Sequence, residues 1–437
     1  MSFQQGLSGL NAASKGLDVT GNNIANANTV GFKSAVTHFA DVFANSLSGS
    51  GASQVGIGTT TSAIQQSFTQ GNITTTNNPL DISINGGGFY RMDTNGTITY
   101  SRSGQFHLDK NGFIVDDRAR VLTGYPADAT GTIVQSSPVD LQLDSGDQSP
   151  VATGAGVGSF QGVRADVNLD SRATATTWVA GPAHVPLVPP ATASFSPNPS
   201  SYNWSTALSV YDTLGNAHTL SLYAVKTALP GEWAIHANVD GTTDQNVTLT
   251  TSTLTFNTSG SLVAGSGVVG ASINLANVMN DLGQVNSAAT PLAFNIDFTS
   301  SSQYGSAFGA NRLEQDGYTS GSLTGVNVAG DGVIRGNYSN GQARDLGQVV
   351  LAGFTNPNGL TSLGGNQWSE TSASGPALVG APGSASLGVL QSASVEESNT
   401  DLTAELVNMI TQQRNYQANA QTIKTQDQIL QTLVNLR

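Results

Sequence analysis

The sequence predicts an α+β, multi-domain chain. Two terminal α-helices pair as a coiled-coil-like core, and nested, antiparallel β-rich domains lie between them. Three observations predict this. The tail beyond Gly388 contains neither Gly nor Pro, and its apolar residues recur at alternating steps of four and three. The first 24 residues keep the same rhythm. Most of what lies between reads as short strands parted by Asn-Gly and Asp-Gly hairpin signals.

The first helix places Phe3, Leu7, Leu10, Leu17 and Ile24 on one row, with Ser14 and Gly21 filling the gaps. Gly6, Gly9, Gly16 and Gly21 interrupt it, each costing about 1 kcal/mol relative to Ala in a helix interior. Alone in water such a helix should not persist. Small residues at that spacing do let a second helix come very close. Asn-rich sequence follows, through Asn22, Asn23, Ala25, Asn26, Asn28 and Thr29 to Gly31, and it reads as a helix stop and turn. A short amphipathic piece carries Val36, Phe39, Val42 and Phe43, and residues 46–53 are Gly/Ser-rich and expected to be extended. Residues 25–70 and 376–398 are therefore expected to be linkers, the former with limited structure.

From Gly71 the texture turns to β. Leu80 to Ile84 alternates, three glycines (Gly86, Gly87, Gly88) turn the chain into Phe89 and Tyr90, and Asn95-Gly96 and Asn111-Gly112 mark hairpins. Residues 304–375 resume this texture, with turn signals at Asp331-Gly332, Asn340-Gly341 and Asn358-Gly359 and an apolar strand over 346–354. Together 71–145 and 304–375 form an inner β domain. Residues 146–303 differ in composition. Gly154, Gly156 and Gly158, then Pro182, Pro186, Pro189, Pro190, Pro197 and Pro199, precede strands turned at Gly215-Asn216. This region reads as an outer β domain inserted into the inner one.

The last helix spans 399–437, roughly 58 Å at the α-helical rise. Its row is Leu402, Leu406, Met409, Tyr416, Ala420, Ile423, Leu430 and Val434, broken by Gln413 and Asp427. Asn399 or Thr400 can cap its start, and Asp401 and Glu405 suit its dipole. Its other face carries Gln and Asn instead of a Glu/Lys mixture, which suits contact with polar protein or a wet channel. One reading folds this helix back on its own domain. The other, favoured because helices 1–24 and 399–437 match, makes the two ends a core for each other and for neighbouring copies. That core is Leu7, Leu10, Leu17, Ile24, Leu402, Leu406, Met409, Tyr416, Ile423, Leu430 and Val434.

At 437 residues the chain has room for two or three domains. Only 10% of residues are charged, and a net charge of −13 with 16 basic residues argues against nucleic acid. Zero cysteine excludes disulfides and zinc ribbons. No window is long and apolar enough for a membrane span, and no basic leader with an apolar run opens the chain. The expectation is a cytosolic protein, or one exported without a cleavable signal.

Enzymatic patterns fail on context. Gly265 to Gly270 spells G-x-G-x-x-G, but a dinucleotide site needs a parallel βαβ unit and an acidic residue about twenty positions on. Asp281 comes too early. Asp93-x-Asn95-Gly96 and Asp109-x-Asn111-Gly112 resemble parts of calcium loops, yet Arg91 and His107 stand at the first ligand positions and Arg102 and Arg118 where the closing Glu belongs. The five histidines are scattered. No catalytic, cofactor-binding or metal-binding residue is expected. A surface adhesin or tail-like β protein stays open, and so does a nucleotide-binding enzyme built on 265–270.

Asn22, Asn23, Ala25, Asn26, Thr29, Gly31, Phe32 and Lys33 resemble the N-terminal signature of the bacterial flagellar axial proteins, which comprise rod, hook and hook-associated members. Asn78-Pro79-Leu80-Asp81-Ile82, Gly86 to Phe89, Tyr100 to Gly104, Tyr338 to Gly341 and Phe354 to Leu360 are similar to the hook and distal-rod pattern. Gln413 to Asn419 in the tail completes it. The resemblance covers about 1–125 and 304–437. The large insertion, and Phe39 to Phe43 after the signature, favour hook over distal rod. The resemblance implies a helical homopolymer, a curved flexible tube working as a universal joint between motor and filament. It also implies signal-less type III export, an extracellular basal-body-proximal position, and the distal rod, hook cap and hook–filament junction proteins as partners.

Overall fold

The computed structural model describes residues 2–42, 56–128, 130–144, 146–156, 160–182, 195–285 and 287–435. The stretch 46–53 expected to be extended, with Phe43, Gly158, Pro186, Pro189 and Pro190, lies outside the described residues. The chain divides into two compact units. The first comprises 1–145, 325–337 and 343–437; the second comprises 146–324 and 338–342.

In the first unit, helix α1 (Ser2–Ala25) and a 34-residue helix near the C-terminus (Leu402–Asn435) flank a β region. The long helix starts later than expected. Asp401 accepts hydrogen bonds from the Thr403 and Ala404 amides at 2.9 and 3.1 Å and so caps it. Asn399 instead reaches back to the Ser67 and Thr69 carbonyls and accepts from the Ser34 amide. The described residues of 25–70 are not a linker of limited structure. Strands β1 (Ala35–Val42) and β2 (Gly58–Gln66) pair antiparallel there. The three-residue spacing of Val36, Phe39 and Val42 therefore belongs to a strand. The β-branched residues on both strands, three consecutive threonines from Thr59 among them, outweigh it. Residues 376–398 likewise hold strands Leu378–Gly380, Val389–Ser392 and Ser394–Glu396, the last two paired with Ile82–Asn85 and Ile73–Thr75.

The expected hairpins form where two-residue turns were marked. Strands Phe89–Thr94 and Thr97–Ser101 meet at Asn95 and Gly96, whose φ values are 52° and 85°. Gly112 has a φ of 83°, and Asp109 accepts from the Asn111 and Phe113 amides, so the calcium-loop fragment is a hairpin turn. Asn358-Gly359 sits in a 3-10 turn, Pro357–Gly359, and not in a hairpin. The core of this unit gathers Ile82, Ile84, Tyr90, Met92, Ile114, Leu122, Ile334 and Leu351.

The second unit is a sandwich. One sheet runs in the order Val247–Leu249, Val268–Ile273, Leu292–Asp297, Val163–Asn168, Gly309–Gln315. The other runs Trp204–Tyr211, Ala217–Lys226, Glu232–Val239, Thr253–Thr255. Alternate residues of both fill one core: Val163, Ala165 and Val167 from the first, Trp233, Ile235, Ala237 and Val239 from the second. Two expectations are corrected here. The sheet is not wholly antiparallel, because Val163 and Arg164 pair in parallel with Ile296 and Asp297. Residues 309–315 pair with 163–168, so the stretch from 304 to 324 completes this unit, and the first unit resumes only at 325. The G-x-G-x-x-G run leads from a turn at Gly265 into strand Val268–Ile273, with no helix for a phosphate to meet.

Candidate functional site: the terminal helix pair and its junction

Helix α1 buries its small residues. Gly6, Ala13, Gly16, Thr20 and Asn23 are buried and Gly9 is partly so, at steps of three and four. This row lies one position away from the apolar row of Leu7, Leu10, Leu17 and Ile24. It meets the long C-terminal helix, named α3 because a short helix, α2 (Leu275–Asp281), precedes it in the second unit. A Cβ placed on Gly6 would stand 3.0 Å from Ile423, one on Gly9 would stand 2.8 Å from the Asn419 amide, and one on Gly16 would stand 3.0 Å from Gln412. Asn23 donates to Glu405 at 2.9 Å. Partners rise in number on one helix as they fall on the other, so the pair is antiparallel. Gly21 meets nothing within 4 Å and takes no part in the close approach.

The packed row of α3 thus includes Glu405, Gln412, Asn419 and Ile423. Two of the α3 amides, Gln412 and Asn419, face glycines of their own chain, while Asn408, Asn415, Gln417, Gln421 and Gln428 are exposed. Ile423 and Met409 are partly buried, while Leu402, Leu406, Val407, Ile410, Tyr416, Leu430 and Val434 are exposed. On α1 Phe3 and Leu7 are exposed, and Leu10, Leu17 and Ile24 are partly buried. Of the predicted core, the single chain brings Ile423 against α1 and leaves Leu7, Leu402, Leu406, Tyr416, Leu430 and Val434 in water. Fully burying one such side chain gains about 1.5–3 kcal/mol, so six half-exposed ones hold on the order of 5 kcal/mol in reserve.

The junction between helices and β region is built from the Asn-rich segment. Asn23 pairs with Ala35 as a strand neighbour would, its Oδ1 accepting from the Ala35 amide at 2.9 Å and its Nδ2 donating to the Ala35 carbonyl at 2.8 Å. Asn26 donates to Asn22, and Thr29 donates to Asn26, closing the turn. Gly31, at φ 69°, donates to the Glu396 carbonyl, and a Cβ there would lie 2.5 Å from the Ser103 nitrogen. Asn22, Ala25 and Phe32 complete the segment; Phe32 donates its amide to the Thr29 carbonyl.

Beneath it lies a buried ionic triad. Lys33 Nζ donates to Glu396 Oε1 and to the Thr69 carbonyl, both at 2.7 Å. Arg102 donates to the Gly88 and Gly86 carbonyls at 2.6 and 2.8 Å. Its Nε stands 3.2 Å from Glu396 Oε2, close enough for an ion pair but not aligned as a hydrogen bond. The Lys33, Arg102 and Glu396 side chains are 0%, 4% and 1% exposed. Burial lowers the pKa of Lys33, with Glu396 opposing and Arg102 adding to the effect. Burial lowers Arg102 too, against Glu396 and Tyr90. The sequence offered one sign of this: a single lysine, Lys33, set in a nearly charge-free stretch. A cleft of about 430 Å³ borders the junction, lined by Asn22, Asn26, Phe32, Gln66, Asn366 and Trp368 among others. Among the described residues no cluster of three or more His, Cys, Asp or Glu could hold a metal.

The whole chain aligns with flagellar hook protein FlgE of Escherichia coli K12 at 43% identity over 441 residues, covering 100% of each. The FlgE of Salmonella typhimurium LT2 aligns at 42%, again over 100% of both. The chain belongs to the flagellar hook protein family. Family descriptions match along its length: "Flagella basal body rod protein" at 3–33, "Flagellar hook protein FlgE/F/G D1 domain" at 83–174, "Flagellar basal body protein FlaE D2 domain" at 168–318 and "Flagellar basal body rod FlgEFG protein C-terminal" at 391–436. The crystal structure of Helicobacter pylori flagellar hook protein FlgE2 covers 73% of this chain and 99% of its own at 12% identity, with a TM-score of 0.48. Membership of this family makes the chain a structural protein of the flagellum, a component of its polymerised axial structure.

Proposed function

We propose that the chain is the repeating subunit of the hook, polymerising helically into a curved, flexible tube that passes motor torque to the filament. The observation that carries this is a helix pair closed by small residues, with a second, apolar row left in water beside it. A monomer gains nothing from such a row, whereas a stack of copies buries it on every subunit. The assembly core is then Leu7, Leu10, Leu17, Ile24, Leu402, Leu406, Met409, Tyr416, Leu430 and Val434, with Ile423 of the expected set holding the seam within the chain. The contacts are heterologous, so they generate an open helix and not a closed ring.

Torque passes through the helices, while bending occurs where β surfaces of neighbouring subunits slide. With few charges on the chain, few ion pairs fix one register, and neutral hydrogen bonds contribute about 1 kcal/mol each. The work is mechanical, without catalysis or cofactor. By family kinship the subunit is exported by the flagellar type III apparatus without a cleaved signal, sits outside the cell next to the basal body, and meets the distal rod, hook cap and hook–filament junction proteins. Removing residues 400–437 should abolish tubes seen by electron microscopy of purified protein. Normal tubes from the trimmed chain would overturn the role given to the helices.

A further inference from the structure

Residues 174–182 cross the outer face of the four-stranded sheet of the second unit without joining it as a strand. The Thr176 amide donates to the Lys226 carbonyl at 3.1 Å. Beyond that point the hold centres on Trp178 and Asp244. The indole lies flat on His236, with ring centroids 4.5 Å apart and planes 6° apart, and tilts against Tyr223 at 5.3 Å. Asp244 uses both oxygens: Oδ2 accepts from the Trp178 indole at 2.8 Å and Oδ1 from the Gly181 amide at 2.9 Å. On either side of it, Thr243 and Gln245 donate to the Pro182 and Gly181 carbonyls. His236 and Tyr223 are register partners on the sheet face turned away from Trp233, Ile235 and Ala237, which fill the sandwich core.

We infer that residues 174–182 are an acid-released strap, set down on a neutral His236 and lifted when that ring takes a proton. A charged imidazole beneath the indole is cut off from water. Asp244, the charged group that acts on it, already gives both oxygens to the strap. It cannot turn to His236 without loosening Trp178 or Gly181. Tyr223, the other titratable side chain against the indole, stays neutral, because burial raises its pKa. Burial lowers the pKa of His236, with Asp244 opposing. The hold is therefore complete above about 6.5 and is lost as pH falls from there through the lowered folded value. His218, on the same sheet, is shifted the other way, so acid firms the sandwich while it frees the strap. The device lies wholly within the second unit and needs neither terminal helix. Lifting the strap uncovers Tyr223 and His236, so acid changes the surface of this unit and not its core.

The test is amide hydrogen exchange on full-length monomer as pH falls from about 7.5 to about 5, corrected for the intrinsic pH dependence of exchange. Acid should speed exchange at Thr176 and Gly181 about tenfold, as a shift of one pKa unit would. The amides of Ile235 and Phe256, bonded to Ser252 and Gly231 inside the same unit, should not follow. His236→Gln should keep both strap amides at their neutral-pH protection throughout, and Trp178→Ala should leave them fast at every pH. The His236 imidazole of the wild-type protein, followed by NMR, should titrate below about 6.5, over the range in which Gly181 loses protection. That reading needs no variant to fold. Strap amides indifferent to pH, a His236→Gln variant that still responds to acid, or a Trp178→Ala strap that stays protected would each overturn the inference. So would Ile235 and Phe256 opening in step with the strap, or a His236 ring that titrates outside the Gly181 transition.

Discussion

Glycine does three different jobs in the first 31 residues, and substitution separates them. Gly21 has open space around its Cβ position, so Gly21→Ala should raise helix stability by about 1 kcal/mol, read as a higher melting temperature. Gly9 faces the Asn419 amide, whose side chain can yield to a methyl group but not to a larger one. Gly9→Leu should part the helices and reduce helical circular dichroism while leaving both β cores folded. Gly31 combines positive φ with a backbone atom 2.5 Å from its Cβ position, so Gly31→Ala should cost about 2 kcal/mol or more. His218 offers a pH handle in the second unit. Its Nδ1 lies 2.7 Å from Asp240 and its Nε2 3.5 Å from Asp212, with 3% of the ring side chain exposed. Burial disfavours the charged ring, but Asp240 and then Asp212 outweigh it, and the pKa is raised. The charged form therefore stabilises the fold fully below the unfolded value near 6.5, and that contribution is lost as pH rises through the higher folded value. Melting temperature of this unit should fall as pH rises through that window, and His218→Gln should flatten the profile.

At the scale of elements, the helices were legible and their seam was not. Apolar steps of four and three located both helices to within a few residues. Two such rows run side by side, however, and hydrophobicity draws attention to the greasier one. Within one chain the small row wins, because Gly6, Gly9 and Gly16 admit Ile423, Asn419 and Gln412 at distances no larger side chain permits. The β1–β2 hairpin was illegible for another reason: its pairing joins segments separated by the undescribed stretch, and local spacing cannot report that. The triad was hidden because its members lie up to 363 residues apart. The element-scale prediction follows from exposure. Leu406→Glu, on the exposed side of α3, should leave the monomer's melting unchanged and prevent polymerisation, as sedimentation would record. Ile423→Ala, beside Gly6, should loosen the helix pair in the monomer itself. If Leu406→Glu stacked like wild type, the exposed row would not be the polymer's seam.

For the molecule as a whole, the decisive boundary is where the inserted unit ends. Composition placed it at 303, where the Gly/Pro-rich texture gives way to hairpin signals. The strand Gly309–Gln315 moves it to the neighbourhood of 324, since this strand pairs with Val163–Asn168 along its length. It also packs Leu313 against the sandwich core and sets Arg312 Nε 3.5 Å from Asp166. A fragment ending at 303 would leave Val163–Asn168 with an unpaired edge and part of the core open to water. Residues 146–324 expressed alone should therefore unfold in one cooperative transition, whereas residues 146–303 should aggregate or melt far lower. Excising 146–324 from the full chain removes a self-contained unit and should leave subunits able to stack into tubes of altered stiffness, measurable from their curvature in electron micrographs. A fragment 146–303 as stable as 146–324 would show that Gly309–Gln315 contributes nothing to the sandwich. The two units would then have to be separated by some criterion other than strand pairing.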